Sequence, residues 1–385
     1  MTVQLKKLLI VSQIAPRRIG SYERYHFGVA GAMKGRGWDI RSAFSGVVTG
    51  PVKAYFELGA DDYIEGLGDA TDWRLQDAWI DLLKRERPDV VWIHFFPTMG
   101  VFAYRIRRAL PRCWVVETDH ISRGKATRGL VREIGHRLRV ALSGGWLDGH
   151  IAVSHLIADR LLSSDKIPRE KIRVIYNGVD LAAFGDRNPH ADDGYMITVC
   201  FMRREKGVGV LLKALVFLKG RGIEPRYLLV GDGPCQREYQ DFARDYGLSN
   251  VEFLGLRNDV PDLLRGAILS VVPSVWPEAF SYAAAESQAL GVPVIASAIG
   301  GLKEVVDDGV TGLYVPPDDP EVLADAIETL LADPACRAAM GIAGHERVER
   351  LFNLRDKIAE TVVYLEDIAS HPRPVGAGMP WGRAR

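Results

Sequence analysis

The sequence has few cysteines, and they do not stand in a pattern that binds a metal or cross-links a fold. The 385 residues contain four, Cys113, Cys200, Cys235 and Cys336, with no CxxC spacing and no paired histidine. This usage favours reduced thiols over a disulfide framework or a zinc site.

An excess of charge and a long apolar run are also lacking. The formal net charge is +0, so the total gives no argument for a nucleic-acid partner. No stretch approaches the ~20 apolar residues of a membrane span. Residues 8–11 follow two lysines as in a signal peptide, but the run is short and lacks a cleavage site, which favours a buried first strand. We expect a cytoplasmic protein, soluble or peripheral at the inner membrane face.

Strand-like runs alternate with helical patterns along the whole chain. This alternation predicts parallel α/β sheets, and 385 residues suffice for two domains. The predicted strands lie near 8–11, 39–43, 90–94, 114–117, 150–153, 197–200, 226–230, 251–254, 269–272 and 294–296. Each half therefore reads as a Rossmann-like, doubly wound sheet.

The polar, turn-rich segment 185–194 is the best linker candidate. It divides the chain into an N-terminal domain, 1–184, and a C-terminal domain, 185–352. Residues 353–385 would form a terminal helix returning to the first domain, followed by a Pro- and Gly-rich tail. Open α/β sheets bind ligands beyond the carboxyl ends of their strands, so two such domains facing each other would place a site in a central cleft.

Seven residues separate Glu278 from Glu286, in a segment that reads as strand, turn, helix and strand. If 278–286 were wholly helical, eight steps would separate the carboxylates by roughly 12 Å along the axis. A glycosidase pair needs about 5–10 Å, so these two carboxylates should hold different parts of one long ligand. A nucleotide sugar has that length.

This segment resembles the E-x(7)-E signature of retaining glycosyltransferases of family 4, which have the GT-B fold. Further segments resemble motifs of that family, in the same order and at similar spacing: Ile172–Asp180, Glu205–Gly207 with Val210–Leu215, Val230–Pro234, Val251–Gly255, Gly300–Val306 and Asp308–Leu313. The likeness covers roughly residues 150–325 and is weaker in the N-terminal half.

The resemblance implies a nucleotide-diphosphate sugar as the donor and assigns residues to it. Glu286 would accept hydrogen bonds from the ribose diol, and Glu278 would contact the sugar near the reacting carbon. Lys206 would stabilise the charge of the departing diphosphate. The alternatives are a structural ion pair for Glu286 and a solvated loop lysine for Lys206.

Ala279, Phe280 and Ser281 precede a helix predicted to begin near Tyr282. Amides at a helix start bind anions, and the family usually has Gly-Phe-Gly here, contacting the diphosphate or the sugar. A plain helix start is the alternative.

Three further positions are candidate donor contacts. Gly231 lies in the Val230–Pro234 motif, and backbone groups near Leu256 and Arg257 would meet the base.

A further departure from the family pattern lies at two adjacent positions. Where the family has Gly-Arg, this chain has Cys200 and Phe201, so the usual second cation on the diphosphate is missing. Side chains alternate along an extended strand, so Arg203 should point the same way as Phe201. We predict that Arg203 supplies the cation and that Arg204 points away.

In the first half, Gly20 and Ser21 begin a segment resembling the family's "GG.Er" loop, which would face the donor phosphate or the acceptor, unless it is only a turn. His94 ends the predicted strand 90–94, His120 follows the end of the next strand, and both match family histidines. His120 is the catalytic candidate, because ligands bind at strand carboxyl ends. His94 is interpreted as a core-edge histidine.

The segment 123–139 is strongly basic, with Glu133 its one acid. Its basic residues are Arg123, Lys125, Arg128, Arg132, Arg137 and Arg139. It could make a weak peripheral contact with an anionic membrane, although a solvated basic face is the more ordinary interpretation.

The sequence favours transfer of a sugar to an acceptor hydroxyl with retention of configuration. We expect no cofactor and no metal, because no D-x-D element stands where a metal-bridged diphosphate would need it. The main alternative is an inactive nucleotide-sugar-binding partner on the same fold. A phosphorylase would need a longer chain, and an epimerase should lack the full 274–304 signature.

Overall fold

Two separate parallel β-sheets organise the chain. The computed structural model describes residues 5–69, 72, 75–96, 101–120, 146–184, 194–370 and 373. Unit 1 runs up to Gly178 and resumes at Arg355, and unit 2 comprises Val179–Leu354. The predicted class, two doubly wound α/β sheets, is confirmed.

Unit 1 contains a seven-stranded sheet in the order β3-β2-β1-β4-β5-β6-β7. Its strands are β1 (Lys7–Ser12), β2 (Asp39–Phe44), β3 (Tyr63–Ile64), β4 (Val90–His94), β5 (Trp114–Asp119), β6 (Gly149–Ala152) and β7 (Ile172–Val174). The helices before unit 2 are α1 (Ser21–Gly35), α2 (Gly50–Tyr55), α3 (Gln76–Glu86), α4 (Val101–Ala109) and α5 (His155–Ser163).

Unit 2 contains a six-stranded sheet in the order β10-β9-β8-β11-β12-β13. Its strands are β8 (Tyr195–Val199), β9 (Tyr227–Val230), β10 (Val251–Gly255), β11 (Ala267–Val272), β12 (Val294–Ser297) and β13 (Gly312–Val315). Its helices are α6 (Leu181–Phe184), α7 (Val208–Gly220), α8 (Gln236–Asp245), α9 (Val260–Arg265), α10 (Tyr282–Ala289), α11 (Leu302–Val305), α12 (Pro320–Ala332) and α13 (Pro334–Phe352).

The last helix, α14 (Leu354–Ile368), packs in unit 1. The buried hydroxyl of Tyr25 on α1 lies 2.7 Å from that of Thr361. A Cβ at Gly28, also on α1, would collide with the side chain of Ile358. The return of the chain to unit 1 therefore depends on close contact between α1 and α14.

Apolar strand residues and inward helix faces form the core of each unit. Residues 8–11 of β1 are fully buried, as expected for a central strand covered on both faces. Trp79 and Trp92 are among the largest fully buried side chains of unit 1. In unit 2, Leu211, Leu215 and Leu218 on α7 pack in the core with Tyr227 and Leu269 from neighbouring strands.

Three strands were not predicted: β3, β7 and β13. They have two, three and four residues, too few for period-2 alternation to show against the background. β3, β7 and β13 are also edge strands of their sheets, where hydrogen bonds to one neighbour define the strand.

Some predictions fall on parts of the chain outside the described residues. These are the linker candidate, except Gly194, all of the basic segment 123–139, and most of the tail after 370. Among the helices that are described, none has the length and hydropathy to cross a membrane.

Arg373, beyond α14, fixes the chain to unit 1. Its Nε donates to Asp148 Oδ1 at 2.9 Å, and the other carboxylate oxygen accepts from Arg107 at 2.5 Å. All three side chains are nearly or fully buried. Because a buried carboxylate needs charged partners, Asp148 joins α4, the β5–β6 region and the segment after α14 in one polar cluster.

Unit 1 also buries several histidines. His26, His94 and His150 are fully buried. Burial lowers the pKa of His26 to about 3 and that of His150 to about 4. The pKa of His94 is held well below its usual value, mainly by burial. These imidazoles therefore fold in the neutral form.

We predict that acid destabilises unit 1 well before carboxylates titrate. Between pH 6.5 and about 4 the unfolded chain binds protons that the folded chain excludes. The free energy of unfolding should thus fall with falling pH, by roughly 1.4 kcal/mol per pH unit for each such histidine. Denaturant unfolding followed by tryptophan fluorescence measures this free energy. The signal reports mainly on unit 1, because Trp276 is the one tryptophan of the sequence within Val179–Leu354.

His26→Asn should reduce that slope by one histidine's share. The matched control is His155→Asn, because His155 is exposed, and it should leave the slope unchanged. An unfolding free energy that stays constant between pH 6.5 and 5 would contradict the prediction.

Candidate active site

The strand order of unit 2 reverses between β8 and β11. β8 pairs with β9 on one side and with β11 on the other. The chain leaves β8 into the loop 200–207 and leaves β11 into the loop 273–281. Both loops lie beyond carboxyl ends at a topological switch point, where open α/β sheets form ligand sites.

These two loops lie against each other backbone to backbone. The amide of Val275 donates to the carbonyl of Glu205 at 3.0 Å. Gly207 has φ +68°, and a Cβ there would collide with the carbonyl oxygen of Pro273. Only glycine allows both that conformation and that approach, so Gly207 sets how closely the loops meet.

A third loop closes the other side of 273–281. The amide of Gly301 donates to the carbonyl of Glu278 at 2.7 Å. Gly300 has φ +61°, and a Cβ there would lie 2.7 Å from the amide nitrogen of Glu278. The backbone at Glu278 is thus held between two neighbouring loops, which fixes the origin of its side chain.

Lys206 and Glu278 meet across this junction. Lys206 Nζ lies 2.9 Å from Glu278 Oε1, and the two side chains are 35% and 12% exposed. The hydroxyl of Ser274 donates to the same carboxylate oxygen. Two predicted catalytic side chains are therefore in direct contact although 72 positions apart in the sequence, and the carboxylate occupies the place an anion would take on Lys206.

Cys200 lies beside this pair. Burial raises the pKa of its thiol to about 12, with the Lys206 ammonium opposing the rise and the Glu278 carboxylate adding to it. Its carbonyl is where a Cβ on Gly231 would collide. Cys200 thus acts as a small neutral packing residue below the charged pair.

Helix α10 begins at Tyr282, as predicted. Ser281 is its N-cap and accepts a hydrogen bond from the amide of Ala284. Glu286 is half-buried in the second turn. Glu278 lies four residues before the helix, so the 12 Å separation that assumes helix throughout 278–286 does not apply.

Ala279 and Phe280, just before the N-cap, are almost fully buried. The ring of Phe280 packs edge to face on Phe352 of α13, with centroids 5.3 Å apart. This contact anchors the segment that leads into α10.

The other predicted donor contacts lie in the loops that follow β9 and β10. The amide of Gly231 donates to the carbonyl of Gly255 at 2.8 Å, which ties the two loops together. Leu256 is 65% exposed. The guanidinium of Arg257 forms a two-bond ion pair with Asp259, at 2.8 and 2.5 Å, so its side chain is engaged locally.

Arg203 and Arg204 have different partners, although they are adjacent. Arg203 lies over the ring of Phe201, with Cζ 5.0 Å from the centroid. Arg204 pairs with Glu238 of α8 at 2.8 Å. Met202, between Phe201 and Arg203, is fully buried. Phe201 and Arg203 thus share the outward side of the loop, as predicted, and Arg204 is directed to α8.

Unit 1 has its own switch point, between β1 and β4, and the predicted His120 lies near it. His120 Nε2 is 3.1 Å from His94 Nδ1, and its ring stacks on Phe95 with centroids 4.4 Å apart. Burial lowers the pKa of His120 to about 4. His94 is fully buried, as interpreted from the sequence, but it also holds His120.

Gly20 and Ser21 mark the start of α1 at the same edge. Gly20 is the N-cap, and its amide donates to the carboxylate of Glu23 at 3.1 Å. Ser21 is the first helical residue. The next residue, Tyr22, lies edge-on to His94, Phe95 and His120. The residue that directly follows Gly20 and Ser21 therefore contacts both histidines.

Sequence reasoning missed three contributors: Tyr22, Phe95 and Ser274. Phe95 has φ +62°, a strained value for a bulky residue that often marks functional sites. No sequence pattern predicts a left-handed backbone conformation at a phenylalanine. Tyr22 carried a weak signal, because it directly follows the Gly20–Ser21 loop.

Both units match families of glycosyltransferases. Residues 28–183 match Glycosyltransferase Family 4, and residues 182–347 match Glycosyl transferases group 1.

Among curated proteins, an uncharacterised glycosyltransferase of Methanocaldococcus jannaschii is 31% identical over 52% of this chain and 54% of its own. A D-inositol 3-phosphate glycosyltransferase of Saccharomonospora viridis is 30% identical over 66% and 63%. The chain spans about half the length of the first curated relatives it matches.

Among solved structures, the Anabaena protein HepE in complex with UDP is similar with a TM-score of 0.75 and 21% identity, covering 94% of this chain and 100% of that one. At this identity the likeness shows the fold, which is GT-B.

We predict that Glu278→Gln tightens the binding of pyrophosphate, an anion that probes Lys206. An anion that approaches Lys206 must displace the Glu278 carboxylate, and a partly exposed ion pair of this kind contributes roughly 0.2–1 kcal/mol. Isothermal titration should therefore show a modestly lower Kd, by up to about fivefold. Pyrophosphate carries no base, ribose or sugar, so only the phosphate side of the site is probed.

Glu252→Gln is the matched control, since Glu252 is exposed and pairs with Arg226. It removes the same charge from unit 2 away from Lys206 and should not change the Kd. Weaker pyrophosphate binding by Glu278→Gln than by the parent chain would show that the carboxylate does not compete for Lys206.

Proposed function

Because this chain carries the two domains of a family-4 glycosyltransferase, we propose that it transfers a sugar from a nucleoside-diphosphate sugar to an acceptor hydroxyl, with retention at the anomeric carbon. The bond from the anomeric carbon to the diphosphate breaks, and a new bond to the acceptor oxygen forms on the same face. The departing phosphate takes the acceptor proton.

The contact between Lys206 and Glu278 is the observation that carries this proposal. It sets a cation and a carboxylate 2.9 Å apart at the switch point of the unit 2 sheet. A diphosphate leaving group needs a fixed cation, and a sugar needs a hydrogen-bond acceptor next to it. The pair offers both within one small region.

Other residues of unit 2 complete the donor site in this proposal. Glu286 accepts hydrogen bonds from the ribose diol. The first amides of α10, aided by the helix dipole, face the diphosphate. Arg203 is the second cation, and backbone groups near Leu256 contact the base. In unit 1, His120 is the catalytic candidate at that unit's own switch point.

The donor is best sought first among UDP-sugars. Support comes from the solved complex of HepE with UDP. For the acceptor, the names of several relatives point to inositol compounds. A thermal-shift and hydrolysis screen of UDP-, GDP- and ADP-sugars tests the proposal, because one hit identifies base and sugar together. A folded chain that neither binds nor hydrolyses any nucleotide sugar would contradict it.

An inactive nucleotide-sugar-binding protein is the second candidate. The observation that favours it is Phe201, which stands where the family has a cationic residue. The two candidates separate in one assay: the inactive protein would bind a nucleotide sugar but would neither hydrolyse it nor transfer the sugar to any acceptor.

We predict that Glu286→Ala weakens UDP binding by roughly 1.5–3 kcal/mol, because hydrogen bonds to a charged acceptor are lost. Isothermal titration with UDP measures it. The matched control is Glu349→Ala, an exposed glutamate on α13, whose removal should leave the affinity unchanged. An unaltered Kd in folded Glu286→Ala would end the ribose assignment.

Turnover should survive chelation in our proposal, because Lys206, Arg203 and the amides of α10 supply the positive charge at the diphosphate. Turnover is measured before and after incubation with excess EDTA, with equal rates expected. The control adds magnesium or manganese back to the treated enzyme. A loss of activity that either metal restores would show that the transfer depends on a metal ion.

A further inference from the structure

Phe201 and Arg203 form a cation–π pair in the loop 200–207 of the site. The ring of Phe201 is 47% exposed, and the guanidinium carbon of Arg203 lies 5.0 Å from its centroid. An exposed phenyl ring is ordinary by itself. Here its face is covered by a cation, a contact that stabilises the position of the guanidinium.

The residue between them fixes the geometry of the pair. Met202 is fully buried in the core of unit 2. Its amide donates to the carbonyl of Asp232 at 2.6 Å, and its carbonyl accepts from the amide of Cys235 at 3.0 Å. With Met202 anchored on both sides, Phe201 and Arg203 project outward together.

Arg203 differs from its neighbours in what balances its charge. Lys206 is paired with Glu278, and Arg204 with Glu238. Among the ion pairs of the described residues, none includes Arg203. A carboxylate partner would compete with an incoming phosphate for the guanidinium donors. A ring face does not, because it has no carboxylate oxygens to occupy the N–H donors of the guanidinium.

We infer that Phe201 is a positioning residue that holds Arg203 as a ready phosphate-binding cation beside Lys206. The inference rests on the proposed function, since it concerns the same diphosphate. Arg203 is oriented before the ligand arrives, whereas Lys206 must first exchange its carboxylate partner. The ring of Phe201, which stands where the family has a cation, therefore positions the cation of Arg203 two residues further on.

A double-mutant cycle tests this inference. Phe201→Leu keeps apolar bulk but removes the ring face, whereas Phe201→Trp keeps a face. UDP affinity is measured by titration, and kcat and KM with the donor identified in the screen. Phe201→Leu should weaken UDP binding roughly two- to fivefold, the size of an exposed cation–π contact, and Phe201→Trp should retain it.

The arginine arm of the cycle makes the result specific. Arg203→Ala should lower turnover by roughly one to three orders of magnitude, as for loss of an electrostatic stabiliser. In that background Phe201→Leu should have no further effect, because the guanidinium that the Phe201 ring positions is already absent. Phe217→Leu, an exposed phenylalanine on α7, and Arg204→Ala are the matched controls, and both should match the parent chain.

Additive effects of Phe201→Leu and Arg203→Ala would overturn the inference, and so would equal losses in Phe201→Leu and Phe201→Trp. Unchanged UDP binding in Phe201→Leu, with the parent chain active, would do the same while leaving the proposed function intact. A parent chain that binds no nucleotide sugar would instead remove the proposed function. Thermal unfolding of each variant separates loss of folding from loss of binding.

Discussion

The close approach of the loops that follow β8 and β11 determines the geometry of the candidate site. The sheet order brings the ends of these strands together, and Gly207 removes the side chain that would hold the loops apart. Lys206 lies on one loop and Glu278 on the other. Gly300 and Gly301 press on the second loop from its far side. The backbone packing of unit 2 thus places two charges in contact.

Positive charge at this site is held in two physically different ways. Lys206 is neutralised by a carboxylate within a partly buried pair. This pairing lowers the free-energy cost of burying the ammonium, but an incoming anion must break it. Arg203 is stabilised by the quadrupole of a ring, which leaves its charge intact. A site built with both types combines a low energetic cost with a cation oriented in advance.

Much of the fold was accessible from the sequence, and parts of the site were not. The apolar runs predicted the central strands, and Ser281 before a small-residue helix predicted the start of α10, because these signals are local. The ion pair of Lys206 with Glu278, the stack of Arg203 on Phe201 and the hold of His94 on His120 depend on where separate loops meet. Composition and periodicity carry no information on such contacts. The left-handed conformation of Phe95 was equally hidden, since nothing local favours it.

The packing of α14 on α1 has a consequence for biosynthesis. Unit 2 is, in effect, an insertion within unit 1, because the chain leaves unit 1 at Gly178 and re-enters it at Arg355. A ribosome therefore completes the sequence of unit 2 while unit 1 still lacks its last helix and Arg373. Domains generally fold as units during synthesis, so the unit that begins first is the one finished last. Until then, the face of α1 around Tyr25 and Gly28 and the carboxylate of Asp148 lack the C-terminal partners found in the folded chain.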